Sequence, residues 1–235
     1  MGEDSSGSLT VLGSVWHYAV DVYETCGHDI ELALRTFDYY WSKPWELGFH
    51  IDFYHRGGTH ESLRKRGENM LVRYHELAPW EGNVIGTELL FRVPLGSHTL
   101  TGTIDKLVEH PGQKLLEVVD YKTGSYVPEK LKFNVQFTAY CYATETQEFW
   151  NAIGDPDGYY RYSGWKRGGK WFHARNTKVY NAGHRTALDY QRLRLMADEA
   201  ERSIEAGIFP LDYSGETCGY CPYVERCGAE VADPR

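Results

Sequence analysis

The chain has 235 residues, 42% of them hydrophobic, with 33 acidic residues against 25 basic and a net charge of -8. That is enough apolar material for one large core without staples, and no stretch approaches the roughly 20 apolar residues a membrane-crossing helix needs. Five cysteines, three of them in the last 20 residues, fit metal ligation better than a disulfide framework. The opening MGEDSSGSLT lacks the basic and apolar regions of a secretory leader, so a cytoplasmic location is expected.

From Leu9 to Thr25, apolar residues recur at Val11, Leu12, Val15, Trp16, Ala19, Val20 and Tyr23. This stripe predicts a helix that Gly27 terminates. A second helix is expected from Ile30 to about Trp41, before Pro44, and a third from Thr59 to about Leu77, before Pro79. Residues 1–80 therefore read as mainly helical. Three strand-like runs follow, NVIGTELLFRVPL, HTLTGTIDKLVEH and QKLLEVVDYKTG, divided by short polar or Gly/Pro turns. The segment PEKLKFNVQFTAYCYATETQEFW reads as one helix with Pro128 in its first turn. Next comes YYRYSGWKRGGKWFHARNTKVYN, expected to be a β-hairpin turning at Gly168-Gly169. A polar helix from about Leu188 to Ala206 leads to the cysteine tail. The order predicts a single mixed α/β domain over 1–235, with a core at 81–207, a tail at 208–235 and a central sheet flanked by helices.

Charge breaks the apolar pattern in two places. In LLEVVDYK, Asp120 and Lys122 share one strand face with Val118, while Val119 and Tyr121 point to the other. A carboxylate and an ammonium at the end of a buried strand cost several kcal/mol unless they pair with each other, a metal or a substrate. Asp105, ending the alternating LTGTID run, is expected at a similar place. Two convergent acids raise each other's pKa unless a cation lies between them, and oxygen donors with open water positions suit Mg²⁺ or Mn²⁺. Such a set suits phosphodiester chemistry. The second place is residues 159–186, with seven Arg or Lys (Arg161, Lys166, Arg167, Lys170, Arg175, Lys178, Arg185) and none of the 33 acids. This basic island, interleaved with aromatics, reads equally as a solvated hairpin or as a polyanion-binding surface.

In order along the chain, GSVWH, GTELLF, GTID, VVDYK and QFTAY resemble the motifs of the PD-(D/E)XK nucleases, and within them the RecB-like exonucleases that include CRISPR-associated and phage recombination members. The resemblance implies a restriction-endonuclease-like fold and a divalent-metal-dependent exonuclease acting on single-stranded DNA or DNA ends in recombination, repair or CRISPR adaptation. It places His17, Asp105, Asp120 and the backbone carbonyl of Tyr121 as ligands of Mn²⁺ or Mg²⁺, with Glu88 a weaker candidate. Asp105, Asp120, Lys122, Gln136 and Tyr140 become the catalytic set. An imidazole ligand favours Mn²⁺ over Mg²⁺. DNA is the implied partner, with recombination or CRISPR adaptation proteins beside it and no membrane. A different reading is a module that grips DNA ends without cutting them.

The tail pattern C-x2-C-x5-C, Cys218, Cys221 and Cys227, is a metal or cluster pattern. The resemblance implies a 4Fe-4S cluster completed by a cysteine ahead of the histidine motif. Residues 1–16 contain none, so either that cysteine lies upstream of this sequence, or Cys26 substitutes, or the fourth ligand is not cysteine.

Overall fold

The structure, a computed structural model, describes residues 6–49, 51–52, 58–77, 82–125 and 131–208. The chain divides into two compact units, Met1–Leu193 and Arg194–Arg235.

A two-residue strand β1 (Ser6–Gly7) pairs in parallel with β2 (Ile51–Asp52). Between them run helices α1 (Ser8–Thr25) and α2 (Ile30–Ser42), followed by α3 (His60–Leu77). The stripe read from the sequence is the buried face of α1. That helix stops where Gly27 adopts φ 75°, and the His28 amide bonds back to the Tyr23 carbonyl at 2.9 Å. The Asp29 carboxylate caps α2 by accepting from the Leu32 amide at 3.0 Å.

Strands β3 (Asn83–Leu95), β4 (His98–His110) and β5 (Leu115–Lys122) form an antiparallel meander. The chain then crosses over through α4 (Val135–Ala143), α5 (Gln147–Ala152) and α6 (Gly158–Arg161). It returns as β6 (Lys166–His173), parallel to β5, and β7 (Lys178–Arg185) closes the sheet in the order β3-β4-β5-β6-β7. Helix α7 (Ala187–Glu205) follows. The expected mixed sheet flanked by helices is present, with β5 at its centre.

The alternation along β5 divides two cores. Val119 and Tyr121 join Val108 and Phe172 under α1, α2 and α3. Val118 and Leu116 join Leu107 and Trp171 under α4 and α5. Trp16, Phe37 and Trp150 are fully buried, and burying each such side chain is worth about 1.5–3 kcal/mol or more. Asp120 and Lys122 thus leave the sheet toward α4, while the Tyr121 ring goes toward α1 and α3.

Two local expectations are corrected. The single helix expected from Pro128 onward is a 3-10 turn (Leu131–Phe133) and two short helices, while Pro128 itself lies outside the described residues. Asn134 and Thr146 restart the helix by accepting from the Phe137 and Phe149 amides, which local capping makes competitive with one continuous helix. The hairpin exists, but its turn lies at 174–177, with Thr177 at φ 54°, and Gly168 and Gly169 sit inside β6. These glycines serve packing: a Cβ on Gly169 would overlap the Phe137 ring of α4, and one on Gly168 would lie 3.0 Å from His184 Nδ1.

The basic island is dispersed as well. Arg167 and Arg185 are buried. Arg167 donates to Thr144 Oγ1 and to the Trp165 and Tyr162 carbonyls, and Arg185 donates to Thr138 Oγ1 and the Ala182 and Leu131 carbonyls. Arg161 pairs with Asp155, and Lys170 with Glu117. Lys166, Arg175 and Lys178 remain exposed. On α3, Arg64 is held by Asp38 and Glu68.

Candidate active site

The residues singled out in the sequence meet at the C-terminal end of β5, reached by α1 from one side and α4 from the other. Gly13 and His17 lie one helical turn apart on α1. A Cβ on Gly13 would stand 3.0 Å from Thr123 Oγ1 just past β5, so the small residue lets the helix approach the strand end. That approach puts His17 Nε2 3.1 Å from the Tyr121 carbonyl. With Nε2 carrying the proton, Nδ1 is an open lone pair, 3.9 Å from Glu88 Oε1 and 3.7 Å from Asp105 Oδ2. Burial lowers the His17 pKa to about 4, against the opposing charge of Asp120, so the ring is neutral and able to ligate.

Glu88, the weaker candidate by sequence, belongs with His17 and Asp105: one donor atom from each of the three lies within 4.8 Å of the others. On β3 it lies between Thr87, opposite Lys106, and Leu89, opposite Ile104, with the register unchanged across it; the ladder's register shift lies nearer the start of β3, between Val84 and Gly86. Glu88 takes φ 47°, an unfavourable conformation for a side-chain-bearing residue that persists only where the surroundings impose it. The Glu88 pKa is raised to about 7 by burial and by Asp105 and Asp21. Burial raises Asp105 to about 6, although the Tyr121 amide donates to it at 2.7 Å and Lys122 opposes the rise. Asp120 is likewise raised to about 6 by burial and by Asp105.

Asp120 lies outside that three-donor group and is held by Lys122. Nζ donates to Oδ1 at 2.9 Å and stands 2.8 Å from Oδ2, where the angle makes no hydrogen bond. Oδ2 is therefore a buried oxygen with no hydrogen-bond partner. Lys122 Nζ also donates to Gln136 Oε1 at 3.3 Å, and Gln136 Nε2 donates to Tyr140 OH at 2.7 Å. Gln136 and Tyr140, one turn apart on α4, thus brace the lysine. Two clefts meet at Ser14 and His17. One, of about 290 Å³, runs beside Tyr121, Lys122 and Thr123; the other, of about 430 Å³, runs beside Tyr18, Asp21, Phe49 and Glu88.

The donor set fits a divalent cation. It combines one imidazole kept neutral by burial, two carboxyls whose pKa values burial raises, and a buried Asp120 oxygen that makes no hydrogen bond although Lys122 Nζ stands 2.8 Å away. Asp21 is the residue the sequence reading passed over. It follows His17 by four positions on α1, lines the larger cleft and accepts a hydrogen bond from the Thr87 hydroxyl next to Glu88. The H-x-x-x-D spacing was its available signal.

Because Glu88, Asp105 and Asp120 hold protons until about pH 6–7 while His17 is already neutral, a cation must displace protons from the acids. Mn²⁺ affinity is therefore expected to fall as pH drops from about 8 to about 6, with more protons released per ion at the lower pH. Calorimetry in buffers of different ionisation enthalpy measures both; an affinity independent of pH contradicts this protonation scheme.

Cys26 is exposed at the end of α1. Cys141 is buried, bonds to the Gly168 carbonyl at 3.6 Å and has its thiol pKa pushed up to about 12 by burial. Cys218, Cys221 and Cys227 lie outside the described residues. Among the described residues no helix is long and apolar enough to cross a membrane.

Comparison with curated proteins finds no match. The model of the PD-(D/E)XK nuclease superfamily matches residues 2–228, which takes in the α1 histidine, the β4 and β5 aspartates, the lysine and the α4 pair. On that match, spanning nearly all of the sequence, the chain belongs to the PD-(D/E)XK nuclease superfamily.

Proposed function

We propose that the protein is a divalent-metal-dependent DNA exonuclease of the RecB-like type that works on single-stranded DNA or DNA ends in recombination, repair or CRISPR adaptation. Nucleases of this superfamily typically use Mg²⁺ or Mn²⁺. The observation that carries the reading is the pairing of a three-donor cation site, His17, Glu88 and Asp105, with a braced lysine two residues beyond Asp120. Asp120 Oδ2 is a further donor beside that site, whereas the Tyr121 carbonyl, with Nδ1 as the ligating nitrogen, accepts from His17 Nε2. A bound ion would lower the pKa of a water and offset charge on the phosphate.

The chain's own residues would do the rest. Lys122 spends donors on Asp120 and Gln136 and has one N–H left to place on a phosphoryl oxygen or on the attacking water. Tyr140 holds Gln136, and Gln136 holds the lysine. Support for a single-stranded or frayed substrate comes from Phe133, 60% exposed, with Lys132 Nζ 4.9 Å from its ring centre. It stands three residues before Gln136, and an exposed aromatic beside a cation suits base stacking with phosphate contact. The cysteine tail adds the further proposal of a 4Fe-4S cluster, to be tested by iron and acid-labile sulfide in protein prepared without oxygen.

One panel tests the activity: linear and circular, single- and double-stranded DNA with Mg²⁺, Mn²⁺ or chelator. Cleavage of linear single strands that stops with chelator is expected. Equal cutting of circles removes the exonuclease assignment, and DNA binding without cutting under every metal removes the nuclease reading of this chain.

A further inference from the structure

Behind the site lies a second polar cluster that takes no part in the proposed chemistry. Lys106 Nζ stands 2.9 Å from Glu24 Oε2, with both side chains 1% exposed. The Tyr74 hydroxyl donates to Glu24 Oε1, and the Tyr74 and Tyr121 hydroxyls are 2.8 Å apart. Since the one Tyr74 proton goes to Glu24, Tyr121 is the donor between the two rings. The chain runs Tyr121 to Tyr74 to Glu24 to Lys106 with all four side chains buried, and Glu24 Oε2 also meets the exposed His28 Nε2 at 3.3 Å.

Its members come from the elements that carry the site. Glu24 is two helical turns past His17 on α1, Lys106 follows Asp105 on β4, and Tyr121 lies between Asp120 and Lys122 on β5. Tyr74 of α3 joins them. The backbone of Tyr121 is the hub at the front, its carbonyl facing His17 Nε2 and its amide held by Asp105. Its ring is anchored at the back. A buried ion pair is a poor source of net stability, since desolvation offsets much of the attraction, but it demands one geometry.

We infer that Tyr121, Tyr74, Glu24 and Lys106 form a clasp of positioning residues that sets the spacing of His17, Asp105 and the Tyr121 backbone, and so the cation affinity of the site. The inference rests on the reading of His17, Glu88 and Asp105 as cation ligands. Outer groups that orient ligands typically change metal affinity about 10–100-fold.

Mn²⁺ titration followed by electron paramagnetic resonance, well below the unfolding temperature, tests it with near-isosteric changes. Tyr121→Phe and Tyr74→Phe are each expected to weaken Mn²⁺ binding about 10-fold. The comparison is Tyr23→Phe, which removes the 2.9 Å hydrogen bond between the Tyr23 hydroxyl and His75 Nδ1, between the same helices but outside the chain. It should lower Tm and leave Mn²⁺ binding unchanged. Wild-type affinity in both tyrosine variants, or an equal loss in Tyr23→Phe, overturns the clasp. His17→Ala separates the two layers. If it loses Mn²⁺ while the tyrosine variants keep it, only the clasp fails; if it binds Mn²⁺ like wild type, the ligand assignment fails and the clasp with it.

Discussion

Lys122→Ala is expected to lower DNA cleavage by at least about 100- to 1000-fold while the protein stays folded, the cost of removing one preorganised donor from developing charge. The fold tolerates the loss because Lys122 is about one-third exposed at a strand end, outside the two cores. Asp120 loses its partner, and its carboxyl, already raised to about 6, is pushed higher and takes up a proton instead of standing as an unpaired charge. Lys122→Arg should not restore activity: the guanidinium is a planar fork, while the site grips a compact ammonium between Asp120 and Gln136. Single-turnover cleavage with saturating metal, beside circular dichroism of the same sample, decides it. A variant that cuts within a few-fold of wild type refutes the assigned role of the lysine.

The second large effect separates two uses of arginine. Arg167→Ala is expected to destabilise the protein by about 3–5 kcal/mol, because it strips hydrogen bonds from Thr144 Oγ1 and three carbonyls and leaves Glu145 without its ion-pair partner. Arg175→Ala should leave stability within about 0.5 kcal/mol yet weaken DNA binding and reduce its salt slope by about one unit. Arg175 is exposed at the β6–β7 turn, and its charge, after burial, lowers the pKa of Arg66 on α3, so two cations approach there. The turn follows His173, the β6 residue paired with Lys122, which leads this positive surface toward the site. Denaturant unfolding and binding isotherms at several salt concentrations measure both variants. A salt slope unchanged by Arg175→Ala would remove this turn from the DNA path, and an Arg167→Ala protein of wild-type stability would refute the interior role.

Helices α1, α2 and α3 and strands β3, β4 and β5 were legible in the sequence because their causes are local: a stripe at helical spacing, alternation with period two, and Gly or Pro at the ends. The division of β5 between two cores follows from the same alternation, as does the shared face of Asp120 and Lys122. Charge in an apolar strand marked the place of the site for the same reason: desolvation must be compensated wherever the strand ends up.

What only the tertiary structure decided depends on partners distant in sequence. Gly168-Gly169 has the composition of a turn, yet Phe137 and His184 pack against it, and close approach uses glycine as readily as a turn does. Arg167 and Arg185 read as surface charge until the distant Thr144 and Leu131 carbonyls accept from them in the interior. Glu88 takes a left-handed backbone conformation inside β3 that no periodicity encodes. The clasp joins the side chains of residues 24, 74, 106 and 121, none of which carried a polar role in its own segment, since a buried lysine or tyrosine declares itself only when its partner comes within hydrogen-bond reach.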